Sequence, residues 1–314
     1  MSDIVSAGTG LSRRHLLAGS AALAGLPAWA RYALAQQAYR FKHGEFDITV
    51  ISDGYLTLPA EIIMPTASVD ERADLLKRLG GTADSAQMKT NIPVIRVGSD
   101  LILVDTGSGD KFQATAGNLV ENLKAAGIDP AAITKVVFTH AHPDHSGGTL
   151  GKDGKLAFPN AAYYASAAEW QFWTNPDYKT AMPEALHPFA VGAQRDLFAV
   201  KDRVTLVKPG DEIVSGMRVL DTAGHTPGHI SLELAGGAGL IITADAATNH
   251  LISFEHPDWR FGFDLQSDLA IANRKRLVDR AANERLKLLG YHWAYPGVGY
   301  AERNGSAFRF VAEA

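Results

Sequence analysis

The hydrophobic positions of this chain fall into short strand-like runs separated by helical stretches. From Phe41 to Leu58 the sequence FKHGEFDITVISDGYLTL predicts a hairpin-like β pair: Ile48, Val50 and Tyr55 are strand residues, and Asp53-Gly54 marks a turn. Ile92–Val97 and Leu101–Val104 predict a second pair around Gly98-Ser99-Asp100. Further strands are expected near Ile133–Thr139, Ala162–Ala165, Val204–Val207, Arg218–Asp221, Ser231–Leu234 and Leu240–Thr243. Helical character lies at Val69–Leu79, at Asn118–Ala126 closed by Gly127, at Ala167–Trp173, and most clearly at Ser267–Leu289. In that last stretch Ser267 reads as the N-cap, Asp268 sits in the first turn, and Gly290 stands just past the end. Its Arg274, Lys275, Arg276, Arg280 and Arg285 read as a solvated face. Strand pairs alternating with helices, without a fixed-period repeat or a linker, predict an α/β layered architecture in one domain.

The first 35 residues follow a different logic. Arg13 and Arg14 precede an apolar run from Leu16 to Leu26, and small residues follow at Ala28, Ala30, Ala33 and Ala35. Its 11 residues fall short of the roughly 20 that cross a bilayer. The charged, apolar and small-residue regions fit a secretory leader, and Ser12-Arg13-Arg14-His15-Leu16-Leu17 resembles a twin-arginine export signal. The expected division is therefore a leader over residues 1–35, cleaved after Ala35 or Ala30, and a domain over residues 36–314 that is periplasmic or secreted, with no stable membrane insertion.

Composition narrows the chemistry. The 314 residues are 46% hydrophobic and 20% charged, a globular balance. Lysine and arginine number 30 against 34 acidic residues, a net charge of -4 with no basic excess for a phosphate backbone, so nucleic acid is not an expected partner. Cysteine is absent, which excludes disulfides, thiolate metal sites and a cysteine nucleophile. A metal bound here must be bound by histidine and carboxylate.

That chemistry is concentrated in VVFTHAHPDHSGG, residues 136–148. His140, His142, Asp144 and His145 follow an apolar run within six positions. Histidines at i and i+2 on extended backbone project to the same side and can reach one ion. Pro143 turns the chain and redirects Asp144 and His145, while Gly147-Gly148 permits close packing of the next segment. A lone histidine is usually structural, but three imidazoles and a carboxylate in this space read as metal ligands. More candidates follow later apolar runs: His225 and His229 in AGHTPGH, Asp245 at the end of GLIITAD, and His292.

The order HAHPDH, AGHTPGH, TAD and a late histidine resembles the metallo-β-lactamase superfamily over residues 41–314. The resemblance implies a four-layered αβ/βα sandwich with a dinuclear metal site along one edge. It implies His140, His142 and His225 on the first ion, Asp144, His145 and His292 on the second, and Asp245 bridging both. Asp105, in LVDTG, would support the ligand loops from behind. His229 reads as structural. His43, His187, His250 and His256 default to surface or loop positions, with His250 or His256 able to line the cleft.

Within the superfamily, the exported methyl parathion hydrolase group and related lactonases resemble this chain more closely, through FDITVISDGYLTLP, LAFPNA, GHTPGH and PGVGYAERNGSAFRFV. An aromatic pocket beside the metals is then implied, matched by Phe112, Trp173 and Phe189. For Trp173 the competing reading is helix packing. Residues 246–266 depart from that group and are a candidate cover for the cleft. The expected function is dinuclear metal-dependent hydrolysis of an ester-type substrate, whether phosphotriester, lactone or aryl ester, with Asp144 and Asp245 in the catalytic set. Zinc is the implied pair of ions and a homodimer the implied assembly, though manganese, iron or cobalt also suit N/O ligands. The alternatives are a lactonase acting on acyl-homoserine or related lactones, and an iron-dependent redox enzyme such as a persulfide dioxygenase.

Overall fold

The computed structural model describes residues 38–313. The expected leader lies outside the described residues. Fourteen strands form two sheets of seven, each in sequential order. The first holds β1 (Ala38–His43), β2 (Phe46–Pro59), β3 (Ser85–Val97), β4 (Asp100–Val104), β5 (Lys135–Val137), β6 (Ala162–Ser166) and β7 (Val204–Val207). The second holds β8 (Glu212–Val214), β9 (Met217–Asp221), β10 (Ile230–Leu234), β11 (Leu240–Ala244), β12 (Lys287–Gly290), β13 (Val298–Asn304) and β14 (Ala307–Ala312).

Period-2 patterning decides which face meets which layer. Phe46, Ile48 and Val50 of β2 pack with Val219, Leu232 and Ile242 of the other sheet, making an apolar layer between the sheets. The outer face of the first sheet, with Ile51, Val94 and Leu103, is covered by the helices Leu119–Ala125, Ala167–Trp173 and His187–Ala199 through Leu123, Trp173 and Leu197. Outside the second sheet, Ile241 and Leu288 meet Leu277, Val278 and Ala281 of the helix Ser267–Glu284. The layers run helix, sheet, sheet, helix, which is the αβ/βα sandwich expected. Beyond the sandwich, Leu56, Leu58 and Met88 of the long β2–β3 pair carry the short helices Ala60–Ile63 and Val69–Arg78. Among the described residues no helix is long and apolar enough to cross a membrane.

Local expectations are corrected at three places: the first strand pair, the two ends of the last helix, and one of that helix's arginines. The turn is at Gly44-Glu45, and Asp53-Gly54 lies inside β2 at a register shift, with Gly54 at φ 122°. Strand irregularity and hairpin turn use the same residue types, so Asp-Gly did not separate them. The last helix ends at Glu284 rather than Leu289: Arg285 takes a left-handed φ of 55°, and residues 287–290 form β12 parallel to β11. A short buried strand with Leu288 and Leu289 on opposite faces looks the same by hydrophobicity as another helical turn. Ser267 is the first helical residue rather than the cap, its hydroxyl donating to the Asp264 carbonyl. Third, Arg274 is buried rather than solvated.

Asp53 shows what the bulge is for. Its buried carboxylate accepts N–H groups from Ser108, Gly117 and Leu119, gathering the loop after β4 against β2. Burial outweighs the three donors and leaves this carboxyl raised to about 6. Asp53→Ala leaves three buried donors without an acceptor and should destabilise the protein by about 3 kcal/mol, read as a lower urea midpoint. A midpoint shift smaller than the fitting error would show that the loop after β4 is held by other means.

Candidate metal centre

Loops leaving the carboxyl ends of β4, β5, β9, β11 and β12 converge on one edge of the sandwich. They deliver Asp105, the His140–His145 segment, His225, Asp245 and His292. His142 ends extended at ψ 156°, Pro143 opens the helical turn Pro143–Ser146, and that turn swings Asp144 and His145 inward. Gly148 lets this turn seat on the neighbouring loop, since a Cβ there would stand 2.0 Å from the Thr106 carbonyl oxygen.

Three facing groups of donors result, each with its atoms within 4.8 Å of one another: His140, His142 and His225; His140, His145 and Asp245; Asp144, His145 and His292. His142 Nδ1 lies 3.1 Å from His140 Nε2 and 2.9 Å from His225 Nε2. Asp144 Oδ2 stands 3.2 Å from His292 Nε2 and 3.5 Å from His145 Nε2. Asp245 faces both groups, with Oδ2 3.2 Å from His225 Nε2 and 3.4 Å from His292 Nε2. All seven side chains are buried. His145 Nε2 and Asp245 Oδ1 have no hydrogen-bond partner among the described residues, and the donors are all nitrogen or carboxylate oxygen. Buried polar atoms left unpaired and turned toward one another fit two divalent cations.

The atoms behind the donors set their orientation. His145 Nδ1 meets Asp105 Oδ2 at 2.8 Å, His225 Nδ1 meets Asp264 Oδ1 at 3.0 Å, and His292 Nδ1 donates to the Lys89 carbonyl at 2.8 Å. Asp105 also accepts from Thr139 N and Oγ1, and it holds this position at a left-handed φ of 65°. His229 is not among the facing donors. Its Nε2 accepts the Asp245 amide and its Nδ1 meets Thr222. Burial lowers the His229 pKa to about 3, so the ring is neutral and holds the Asp245 backbone in place.

Charge within the cluster is uneven. Burial, then the neighbouring imidazoles, holds His140 and His142 well below the usual histidine range. Burial also works against charge on Asp245, but His292 and then His145 outweigh it and keep its carboxyl well below the carboxylate range. His140 and His142 are therefore neutral and the carboxylates ionised. At the other side of the edge the carboxylates outweigh burial, raising His145 well above the usual histidine range and His292 to about 10. A cation bound there would take the place of those protons.

Above these donors lies a cleft of about 350 Å³, its open mouth included. Its walls are Leu56, Leu58, Phe112, Phe189, Phe261 and Phe263, and its floor includes His142, Asp144, Asp245 and His292. Phe112 and Phe189 stand where the pocket was expected. Trp173 is fully buried beneath His142, with ring centroids 5.8 Å apart, and its Nε1 donates to Glu169. It packs behind the ligand rather than lining the cleft. Phe261 and Phe263 come from the 246–266 segment, which does cover the cleft. His250 and His256 do not line it; His256 stacks on Trp259.

Sequence reasoning missed four supporting residues. Glu169 accepts from Ala141 N, Trp173 Nε1, Thr226 Oγ1 and Gly228 N, joining the His140–His142 loop to the His225 loop. An acidic residue inside the apolar helix Ala167–Trp173 was the available signal. Tyr291 stacks on His145 and donates to the Asp144 carbonyl. Asp264 and Arg274 form a buried pair at 3.0 Å, and no local motif marks either one.

Comparison with known proteins adds to this geometry. Residues 87–292 match the description of the metallo-beta-lactamase superfamily. The chain is 32% identical over 139 residues to N-acyl homoserine lactonase AttM of Agrobacterium fabrum, covering 41% of this chain and 46% of that protein. It is 28% identical over 169 residues to an N-acyl homoserine lactonase of a Bacillus species, covering 53% and 58%. The chain thus spans about half the length of the curated relatives it matches. Among solved structures, AidC, a dizinc quorum-quenching lactonase in complex with a product, superposes with TM-score 0.82 at 30% identity, covering 89% of this chain and 99% of that one. The hydrolase AbOPH gives TM-score 0.82 at 26% identity, covering 88% and 98%.

Two outcomes are expected from the centre itself. Glu169→Ala strands four buried donors between the two ligand loops and should cost at least about 3 kcal/mol, measured by urea unfolding. A near-neutral value would show that the loops hold without it. Stripping divalent metal with a chelator should lower the melting temperature, and restoring it at a hundred times its dissociation constant should return about 2.7 kcal/mol. Identical melting curves would argue that the seven donors bind no cation.

Proposed function

Since the chain belongs to the metallo-β-lactamase superfamily, we propose that it is a dinuclear metal-dependent hydrolase whose substrates are neutral cyclic esters, N-acyl-homoserine lactones foremost. The observation that carries this reading is the cleft. Carboxylates and imidazoles form its floor, apolar side chains form its walls, and among the described residues no lysine or arginine lines it. Such a site suits an uncharged ester with an apolar arm, and its walls offer no cationic side chain to pair with an anionic group. The likeness to AttM and AidC supports the lactone over other esters.

His140, His142 and His225 would hold one ion, Asp144, His145 and His292 the other, and Asp245 would reach both. Zinc is the proposed metal, in keeping with the dizinc neighbour. Two such ions supply a hydroxide at neutral pH and polarise the ester carbonyl. The remaining work falls to this chain. Phe112, Phe189, Phe261 and Phe263 would grip the acyl arm and exclude water around it. Asp144 lies on the cleft floor where it can accept a proton, its backbone fixed by Tyr291. In the overall reaction the water oxygen bonds to the carbonyl carbon, the ring C–O bond breaks, and the ring oxygen leaves as a hydroxyl after taking a proton.

The aromatic walls favour a second reading, an aryl ester or aryl phosphotriester whose leaving group stacks among them, as in the methyl parathion hydrolase-like branch. An iron-dependent redox enzyme such as a persulfide dioxygenase fits less well, because seven buried donors in three overlapping groups exceed what a single ion takes. The Arg13-Arg14 leader makes the proposed location periplasmic or secreted.

The test is a panel of N-hexanoyl-homoserine lactone, a p-nitrophenyl phosphotriester and an aryl ester, assayed with zinc-loaded protein. Lactone opening should lead, and His142→Ala and Asp245→Ala should each reduce it by more than about a hundredfold, since losing even an outer partner of a metal ligand costs about 10- to 100-fold. Turnover that survives either substitution would place the chemistry elsewhere, and a single bound iron would revive the redox alternative.

A further inference from the structure

Residues 246–266 begin beside one ligand, Asp245, and end against another, His225. Asp264 joins the two ends. Its Oδ1 meets His225 Nδ1 at 3.0 Å, while Oδ2 accepts from Arg274 Nη2 at 3.0 Å and from Phe261 N at 3.3 Å. Arg274 also donates to the carbonyls of Ala246 and Trp259. The backbone adds Leu265 N to His225 O at 3.0 Å and Gln266 N to Gly224 O at 2.8 Å. The Asp264 and Arg274 side chains are almost wholly inaccessible, so water does not compete for these bonds. Phe261 and Phe263, which wall the cleft, lie within three residues of Asp264 on the same turn.

We propose that Asp264, braced by Arg274, is a positioning residue that makes the aromatic wall and the metal centre one cooperative unit. One oxygen of its carboxylate fixes the tautomer and direction of His225. The other holds the turn that presents Phe261 and Phe263 to substrate. Displacing His225 loosens the wall, and loosening the wall frees His225, because both strain the same carboxylate. By linkage the coupling is reciprocal: metal that favours the aligned His225 favours the ordered wall to the same degree. The inference rests on the metal-centre reading above but needs no particular substrate.

The experiment compares wild type with D264N, R274K and F261A, using zinc ion as the probe. Competition with a chromophoric chelator reads the affinity of each zinc equivalent, and hydrogen–deuterium exchange reads the order of residues 257–265. Removing zinc from wild type should raise exchange across 257–265. D264N should raise it with zinc present and weaken one of the two zinc equivalents by about 10- to 100-fold. F261A, which disturbs the wall but leaves the carboxylate in place, should weaken the same zinc equivalent by less than D264N does while raising KM, rather than lowering kcat, for N-hexanoyl-homoserine lactone. If D264N does not fold, R274K decides by the same two readings, with a smaller loss expected. Exchange indifferent to zinc would overturn the proposal. So would a D264N protein with both zinc affinities intact, or an F261A protein that weakens zinc as much as D264N. Absence of lactone turnover would count against the proposed function alone, since the zinc and exchange readings stand without it.

Discussion

Two imidazole nitrogens facing each other at 2.9 Å need a shared proton or a metal cation between them. His142 Nδ1 and His225 Nε2 stand at that separation, from loops of different sheets. Either a proton or a cation must lie there. A neutral ring's own N–H fills one such gap, but His142 Nδ1 faces both His140 Nε2 and His225 Nε2, and one proton serves only one of them, so a cation suits the three nitrogens better. Much else in the molecule depends on holding these atoms together. Each sheet ends its strands at the same edge, and the apolar layer between the sheets fixes the distance across which the two sets of ligands meet.

Holding them there requires carboxylates that never touch substrate. Asp105, Asp264 and Glu169 are all buried, and each ties a ligand, or the loop that carries it, to a different part of the sandwich. The backbone is strained at the same places. Asp105 at φ 65° and Ala244 at φ 45°, just before Asp245, lie in the left-handed region at a cost of about 1–3 kcal/mol each. Such conformations persist because the surrounding bonds overdetermine them, and both occur at strand ends that feed the centre.

The parts of this arrangement that were legible in sequence are those in which several chemical groups sit close together along the chain. HAHPDH spells out its geometry because the i, i+2 spacing and the proline act locally. The layered fold was legible for a similar reason, in alternating runs such as Phe46, Ile48 and Val50. The supporting shell was not. Asp264 meets His225 across 39 residues and Glu169 meets Gly228 across 59, so neither leaves a local pattern. Arg274 was misread because a helix rich in arginine and lysine has a solvated face by default, and nothing nearby marks which arginine turns inward. Asp53-Gly54 misled because a bulge and a turn ask for the same residues.

The covering segment between Ala246 and Asp264 has both ends held beside ligands, and the side chains it turns to the cleft, Phe261 and Phe263, lie on the turn at its second end. That layout separates what heredity can change from what it must keep. Substitutions at Phe261 and Phe263 can reshape the walls, provided the carboxylate and guanidinium that pin their turn persist. A cleft built this way can change what it admits through two side chains on one turn, while the carboxylate beneath them keeps its grip on His225.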